Sequence, residues 1–312
     1  MKIILECGGG GVRGVISAEI CAEIEAYIHR PLYQVFDLIS GTSTGAILGS
    51  MLAAGVPAQT CRDLYVKRGP EVFKARSKFL PWNWFKEKYD RNLVTNAMGD
   101  SFEKDSLIKL RSPLMNQLKT KFMCTSVSIV DEQTHYFKSW EDKDGKLPVL
   151  IAAARSFAAA YYFGAINDPA NGQCWVDGGE GIYNCTIRPC FIESILQDWL
   201  NEGVYILSLG CGYVKPGMPY AEASKMGWVG QSKFYINLAR RQSTLDQEFE
   251  LEQIEKKLKQ RVTLDRLDIE IPKSWDELDA VDHIKDFSMM VLKTLPVRIS
   301  EVATKLKQIK PI

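Results

Sequence analysis

Two strand–glycine–helix units stand back to back in the first 55 residues, and they constrain the fold more than any other feature. Lys2–Glu6 is a short apolar run stopped by Cys7 and four glycines, which reads as a buried strand. Gly14–Ile28 (GVISAEICAEIEAYI) then places Val15, Ile16, Ile20, Ile24 and Ile28 near helical spacing, with Glu19, Glu23 and Glu25 mostly elsewhere. A second strand, Val35–Ser40, leads through Gly41–Gly45 (GTSTG) into a small-residue helix over Thr44–Ala54, ended by Gly55. Strand, glycine turn, helix, strand, tight turn and helix are expected to build an α/β fold on a mostly parallel central sheet.

The rest of the chain continues this alternation with one interruption. Strands are expected at Lys121–Val130, Thr134–Lys138, Cys174–Val176, Val204–Leu209 and Val262–Ile271. Helices are expected at Leu150–Ala160, Thr186–Leu200 and Ser232–Lys259, with a C-terminal helical tail from 275 that breaks at Pro296. Residues 70–91 are basic and aromatic, and they read as a lid or a membrane-facing insertion. Trp82, Trp84 and Phe85 are its candidate lipid contacts, because aromatic rings suit the headgroup zone and nearby lysines add attraction to anionic lipid. A solvated loop remains the other reading of that stretch. No repeat, low-complexity tract or Gly/Ser linker divides residues 1–312, so one domain is expected.

Net charge is +1, which gives no global field to select a nucleic acid polymer or an acidic substrate. The eight cysteines are scattered without a CxxC pair or zinc spacing, as expected of reduced thiols in a cytoplasmic protein. The run MKIILECGGG is too short for the h-region of a signal peptide. No segment offers about 18 uninterrupted apolar residues, so any membrane contact is expected from the water side.

GTSTG fits the pattern GxSxG, which is weak alone but gains meaning between a strand and a helix. A serine on such a turn is pushed out of the backbone, and Gly41 and Gly45 leave room for the bend. The helix then directs free N–H groups and its positive end at Ser43, which favours negative charge there. The plain alternative is a turn in which Ser43 or Thr44 caps a helix. An attacked ester becomes an oxyanion that needs preorganised donors, and Gly8–Gly11 could supply bare N–H groups, with Arg13 holding the loop. A nucleotide-phosphate cradle is the rival, but neither GxxxxGK[ST] nor GxGxxG fits in its expected form. For a base, His29, His135 and His283 stand away from the glycine turns, whereas Asp177 ends a short strand and precedes Gly178 and Gly179. DGG is also an ordinary turn signal.

Taken in chain order, GGGVRG (Gly9–Gly14), GTSTG and DGG (Asp177–Gly179) resemble the patatin-like phospholipase family. FDLISGTSTGAILGSMLAAG (Phe36–Gly55), AAARSFAAAYYF (Ala152–Phe163), LSLGCG (Leu207–Gly212) and WDELDAVDHIKDF (Trp275–Phe287) extend the resemblance over most of the chain. The resemblance implies a three-layer α/β/α fold and a dyad, with Ser43 as nucleophile and Asp177 as base. It implies an oxyanion hole from the N–H groups of Gly9, Gly10 and Gly11, with Arg13 bracing that loop. It implies an acyl-enzyme, release of fatty acid from membrane phospholipid, no metal and no cofactor, and a protein that is peripheral at the membrane when active. Some bacterial members act in anti-phage signalling under cyclic nucleotides, so a cyclic-nucleotide activator is an expected partner. The chain departs from the family at Gly8, where aspartate is usual, at Ala160, where proline is usual, and at Cys185, where proline follows asparagine. Three other readings stay open: a Ser43–Asp177–His283 triad, a transacylase and an inactive lipid-binding module. The triad order belongs to folds with more strands between oxyanion loop and nucleophile than the roughly 30 residues here allow.

Overall fold

A computed structural model describes residues 1–74, 87–215, 217, 221, 224–258 and 261–311. The N-terminal apolar run forms β1 (Lys2–Cys7), buried from Ile3 onward. Burial on both faces demands a central strand of a sheet covered on two sides. The chain returns through α1 (Gly14–Ile28) and a helical turn at Leu32–Val35 into β2 (Leu38–Thr42), parallel to β1. The strand starts later than expected because Val35 and Phe36 close that turn, with Phe36 N–H donating to the Leu32 carbonyl at 3.0 Å.

The chain continues through α2 (Thr44–Ala53), α3 (Ala58–Val72), α4 (Arg91–Lys104), β3 (Lys121–Ser128) and β4 (Gln133–Lys138). Next come α5 (Val149–Ser156), β5 (Ile166–Asp168), β6 (Gln173–Asp177), α6 (Ile187–Leu196) and β7 (Val204–Leu209). The last elements are α7 (Trp228–Leu258), β8 (Val262–Leu267), α8 (Ile284–Thr294) and α9 (Pro296–Ile309). The sheet order is β5-β6-β3-β2-β1-β7-β8, with β4 on the other edge of β3. The five strands from β3 to β8 run parallel, and β4 and β6 run against β3.

Alternation along the strands separates two cores. Ile3, Leu5, Ile39, Phe122 and Leu207 face the thicker layer, which includes α1, α2, α3, α5, α8 and α9. Ile4, Leu38, Met123, Ile206 and Val262 face the thinner layer of α6 and α7. This is the expected α/β/α sandwich. Its order reverses between β1 and β7, and a reversal point is where open α/β sheets form crevices at the carboxyl ends of their strands.

The tail differs from its expected form. Trp275–His283 is irregular, with 3₁₀ turns at Lys273–Trp275 and Val281–His283, and the helix starts at Ile284. Its backbone makes tertiary hydrogen bonds instead, Leu278 O accepting from Val12 N–H at 2.7 Å. Trp82, Trp84 and Phe85 lie outside the described residues.

Candidate active site

The pairing of β3 explains why two residues far apart in sequence meet. β2 runs parallel along one edge of β3 until Thr42 faces Thr125. β6 runs the opposite way along the same edge until Asp177 faces Ser126, because β4 fills the other edge there. The two strands therefore meet head to head. Ser43 and Asp177 occupy the junction, and Ser43 Oγ donates to Asp177 Oδ2 at 2.6 Å across 134 residues of chain. Asp177 is buried, and its Oδ1 accepts from Gly179 N–H at 2.7 Å. The carboxylate is thus fixed by its own turn and presents its second oxygen to the serine.

Ser43 sits at φ 57°, ψ −123°, a region that costs a non-glycine residue about 1–3 kcal/mol. Surrounding bonds hold it there. Ser43 N–H donates to Ser156 Oγ at 3.0 Å, and Thr42 Oγ1 donates to the Tyr183 carbonyl at 2.7 Å. Both flanking glycines are required by close approach. A Cβ at Gly41 would stand 2.3 Å from the Gly45 carbonyl, and one at Gly45 would stand 2.0 Å from the Cys7 carbonyl oxygen. Gly178 plays the matching part under Asp177, since its Cβ would lie 2.3 Å from Thr125 Oγ1. Helix α2 starts at Thr44, whose hydroxyl lies 2.6 Å from the Tyr65 hydroxyl. Burial pushes the Tyr65 hydroxyl far above its ordinary pKa, so it stays neutral.

The glycine loop leaves β1 at the point where the sheet order reverses. Gly8 N–H donates to Leu209 O at 3.0 Å and Gly9 N–H to Asn184 O at 2.9 Å. Gly9 therefore departs from its expected part as an oxyanion donor: its N–H is already spent inside the fold. Gly10 and Gly11 N–H groups have no acceptor among the described residues. Gly11 has φ +60°, a left-handed conformation that glycine adopts freely. Arg13 pairs with Asp276 and directs Nε to the Gly10 carbonyl at 3.4 Å. Cys211 lies beneath the loop and donates to Gly8 O at 3.3 Å. Burial raises its thiol to about 12, so it remains protonated at neutral pH.

An apolar cavity of about 70 Å³ opens from Ser43 into the thick layer, lined by Ile47, Leu64, Val72, Met98 and Phe157 among others. Its walls come from α2, α3, α4 and the turn after α5. Its exposed lining is almost wholly apolar, which suits a hydrocarbon group, although Tyr65 and Arg68 also stand on its wall. Phe163 closes part of the wall, with ring centroids 5.5 Å from Phe157 and 5.8 Å from Phe73.

The histidines take no part in this contact. His283 stacks on Trp275 at 4.1 Å and its Nδ1 lies 3.3 Å from Asp286. His135 pairs with Asp131, and His29 ends α1. Sequence reasoning missed Asn184 and Ser156 as supports of the site. Asn184 holds Gly9 from both sides, since its Nδ2 also donates to Gly9 O at 3.3 Å. The asparagine shortly after DGG was a usable signal, whereas nothing local distinguishes Ser156. Among the described residues there is no cluster that could hold a metal ion and no helix long and apolar enough to cross a membrane.

Known proteins resemble this chain in sequence. The family model "Patatin-like phospholipase" matches residues 5–190, which contain the glycine loop, the elbow and Asp177. A cGAMP-activated phospholipase of Pseudomonas aeruginosa is 30% identical over 166 residues, covering 51% of this chain and 47% of that protein. One of Vibrio cholerae is 27% identical over 256 residues, covering 73% of this chain and 69% of that protein. A cUMP-AMP-activated phospholipase of Escherichia coli is 40% identical over 74 residues, 24% of this chain and 23% of that protein. The match thus spans about half the length of the Pseudomonas relative and about a quarter of the Escherichia one. With the family model matching more than half of its residues, and with the glycine loop, elbow and strand-end aspartate in one site, this chain belongs to the patatin-like phospholipase family.

Proposed function

We propose that the chain hydrolyses acyl esters of membrane glycerophospholipids through Ser43 and Asp177. The observation that carries this reading is the direct 2.6 Å hydrogen bond from Ser43 Oγ to Asp177 Oδ2, with no imidazole between them. Asp177 takes the serine proton as Oγ attacks the ester carbon. The N–H groups of Gly10 and Gly11, with the start of α2, stabilise the oxyanion. Asp177 then passes the proton to the departing alcohol, leaving the acyl chain on Ser43 in the apolar cavity. In the second half a water gives its proton to Asp177 and attacks the acyl carbon. Collapse releases the fatty acid, and the proton returns to Ser43.

Two further elements complete this reading. The basic, aromatic stretch 70–91 touches the membrane surface from the water side, supported by its composition. A cyclic nucleotide activates the enzyme in an anti-phage response, supported by the names of the Pseudomonas, Vibrio and Escherichia relatives. The test is lipid mass spectrometry on mixed phospholipid vesicles incubated with the wild type, Ser43→Ala and Asp177→Asn, each with and without cyclic dinucleotides. Fatty acid and lysophospholipid are expected from the wild type alone. Equal release by Ser43→Ala would refute the reading, and an acyl chain transferred to an alcohol would redirect it to a transacylase.

A further inference from the structure

The donors assigned to the oxyanion are two consecutive glycines, and backbone so free needs anchors on both sides. On the side of β1 the anchor is Asn184, which receives Gly9 N–H and donates back to Gly9 O. The other side is held by a segment nearly the whole length of the chain away. Val12 N–H donates to Leu278 O at 2.7 Å, and the Arg13 guanidinium pairs with the Asp276 carboxylate. The segment lies so close that a Cβ at Gly11 would stand 2.1 Å from Leu278 O. Gly10 and Gly11 therefore span two clamps, one from the turn after β6 and one from the irregular stretch before α8.

That stretch is itself anchored. Trp275 stacks on His283 and meets the fully buried Phe287 of α8 edge-on at 5.7 Å. Asp279 receives the Lys88 ammonium at 2.5 Å and the Tyr89 hydroxyl. Tyr89 N–H in turn donates to Tyr162 O at 2.9 Å, beside the Phe163 wall of the cavity. One strap thus touches the proposed oxyanion loop directly and, through Tyr89 and Tyr162, connects to the residue next to Phe163 of the cavity wall.

We propose that Trp275–His283 is a positioning strap for the oxyanion hole, acting on Gly10 and Gly11 through Asp276 and the Leu278 carbonyl. The proposal rests on the hydrolase reading above. Neither group touches substrate. Their effect is to hold two N–H groups where negative charge develops, so their loss falls on the transition state and spares substrate binding.

The experiment measures kcat and KM on a soluble short-chain ester, together with the rate at which a serine-reactive phosphonate labels Ser43. Asp276→Ala is expected to lower kcat about tenfold at unchanged KM, and to slow labelling in proportion, because the phosphonate adduct also places an oxygen in the hole. Asp276→Glu restores part of the rate. Arg13→Gln combined with Asp276→Ala loses no more than either single change, as required of two groups acting as a unit. Asp276→Asn supplies the same comparison if the alanine variant does not fold. Wild-type kcat in Asp276→Ala, a loss confined to KM, or additive losses in the double variant would overturn the strap. A wild type that neither hydrolyses the ester nor takes the label would instead overturn the hydrolase reading, so the two failures are distinct.

Discussion

A methyl group added at Gly45 strikes the backbone that launches the proposed oxyanion loop. In Gly45→Ala the new Cβ would lie 2.0 Å from Cys7 O and 2.8 Å from Gly8 O, whereas ordinary contact begins at 3.4 Å. Neither atom is the end of a flexible side chain, so strand end and elbow must separate by roughly 1 Å, a displacement that costs about 10²-fold when it falls on reacting groups. Overpacking adds about 1–3 kcal/mol of lost stability, or roughly 2–10 °C in Tm for a chain of this size. The assay pairs thermal unfolding with turnover of a soluble ester. Gly227→Ala is the control, since its Cβ would meet nothing within 4 Å. A folded Gly45→Ala protein with wild-type turnover would refute the claim that elbow and loop depend on this close approach.

Three further outcomes are expected. Ala97→Leu narrows the cavity beside Ser43 and should shift preference toward shorter acyl esters by about tenfold in kcat/KM; unchanged chain-length preference would show that the acyl chain lies elsewhere. Asp279 is pulled in opposite directions: burial works to raise its pKa, but the Lys88 ammonium and the Tyr89 hydroxyl outweigh it and hold the carboxyl below its ordinary value near 3.8. Its stabilising contribution is therefore complete above that ordinary value and lost as pH falls through the lower folded one. The Tm gap between wild type and Asp279→Asn should accordingly shrink on acidification below about pH 4, and a gap that widens there would contradict the sign. Trp82→Ser with Trp84→Ser should weaken vesicle hydrolysis about tenfold more than hydrolysis of a soluble ester; equal losses would remove the membrane role.

The parts legible in sequence are those fixed by neighbours along the chain. GTSTG announced its elbow because the strand, the strained serine and the helix lie within one short stretch, and Gly41 and Gly45 answer to backbone a few residues away or at the end of β1. Asp177 was visible as a strand-end carboxylate. Its partnership with Ser43 came only through family resemblance, because it depends on β2 and β6 meeting head to head on β3. Gly9 looked equivalent to its neighbours until the fold brought Asn184 O to its N–H. Trp275–His283 read as helix because its apolar spacing continues into α8, and periodicity carries no trace of a Leu278 carbonyl engaged by Val12. Local pattern thus located the candidate nucleophile, whereas long-range hydrogen bonds decided which loop amides are already engaged.

The most direct measurement is intact-protein mass spectrometry during reaction with a serine-reactive phosphonate, comparing the wild type, Ser43→Ala and Asp177→Asn. One adduct on Ser43 is expected in the wild type and none in Ser43→Ala. Labelling of a folded Asp177→Asn protein should be slower by about 10²–10⁴-fold, the usual worth of a positioned base. Asp177→Asn labelling at the wild-type rate would contradict direct activation of the serine by that carboxylate.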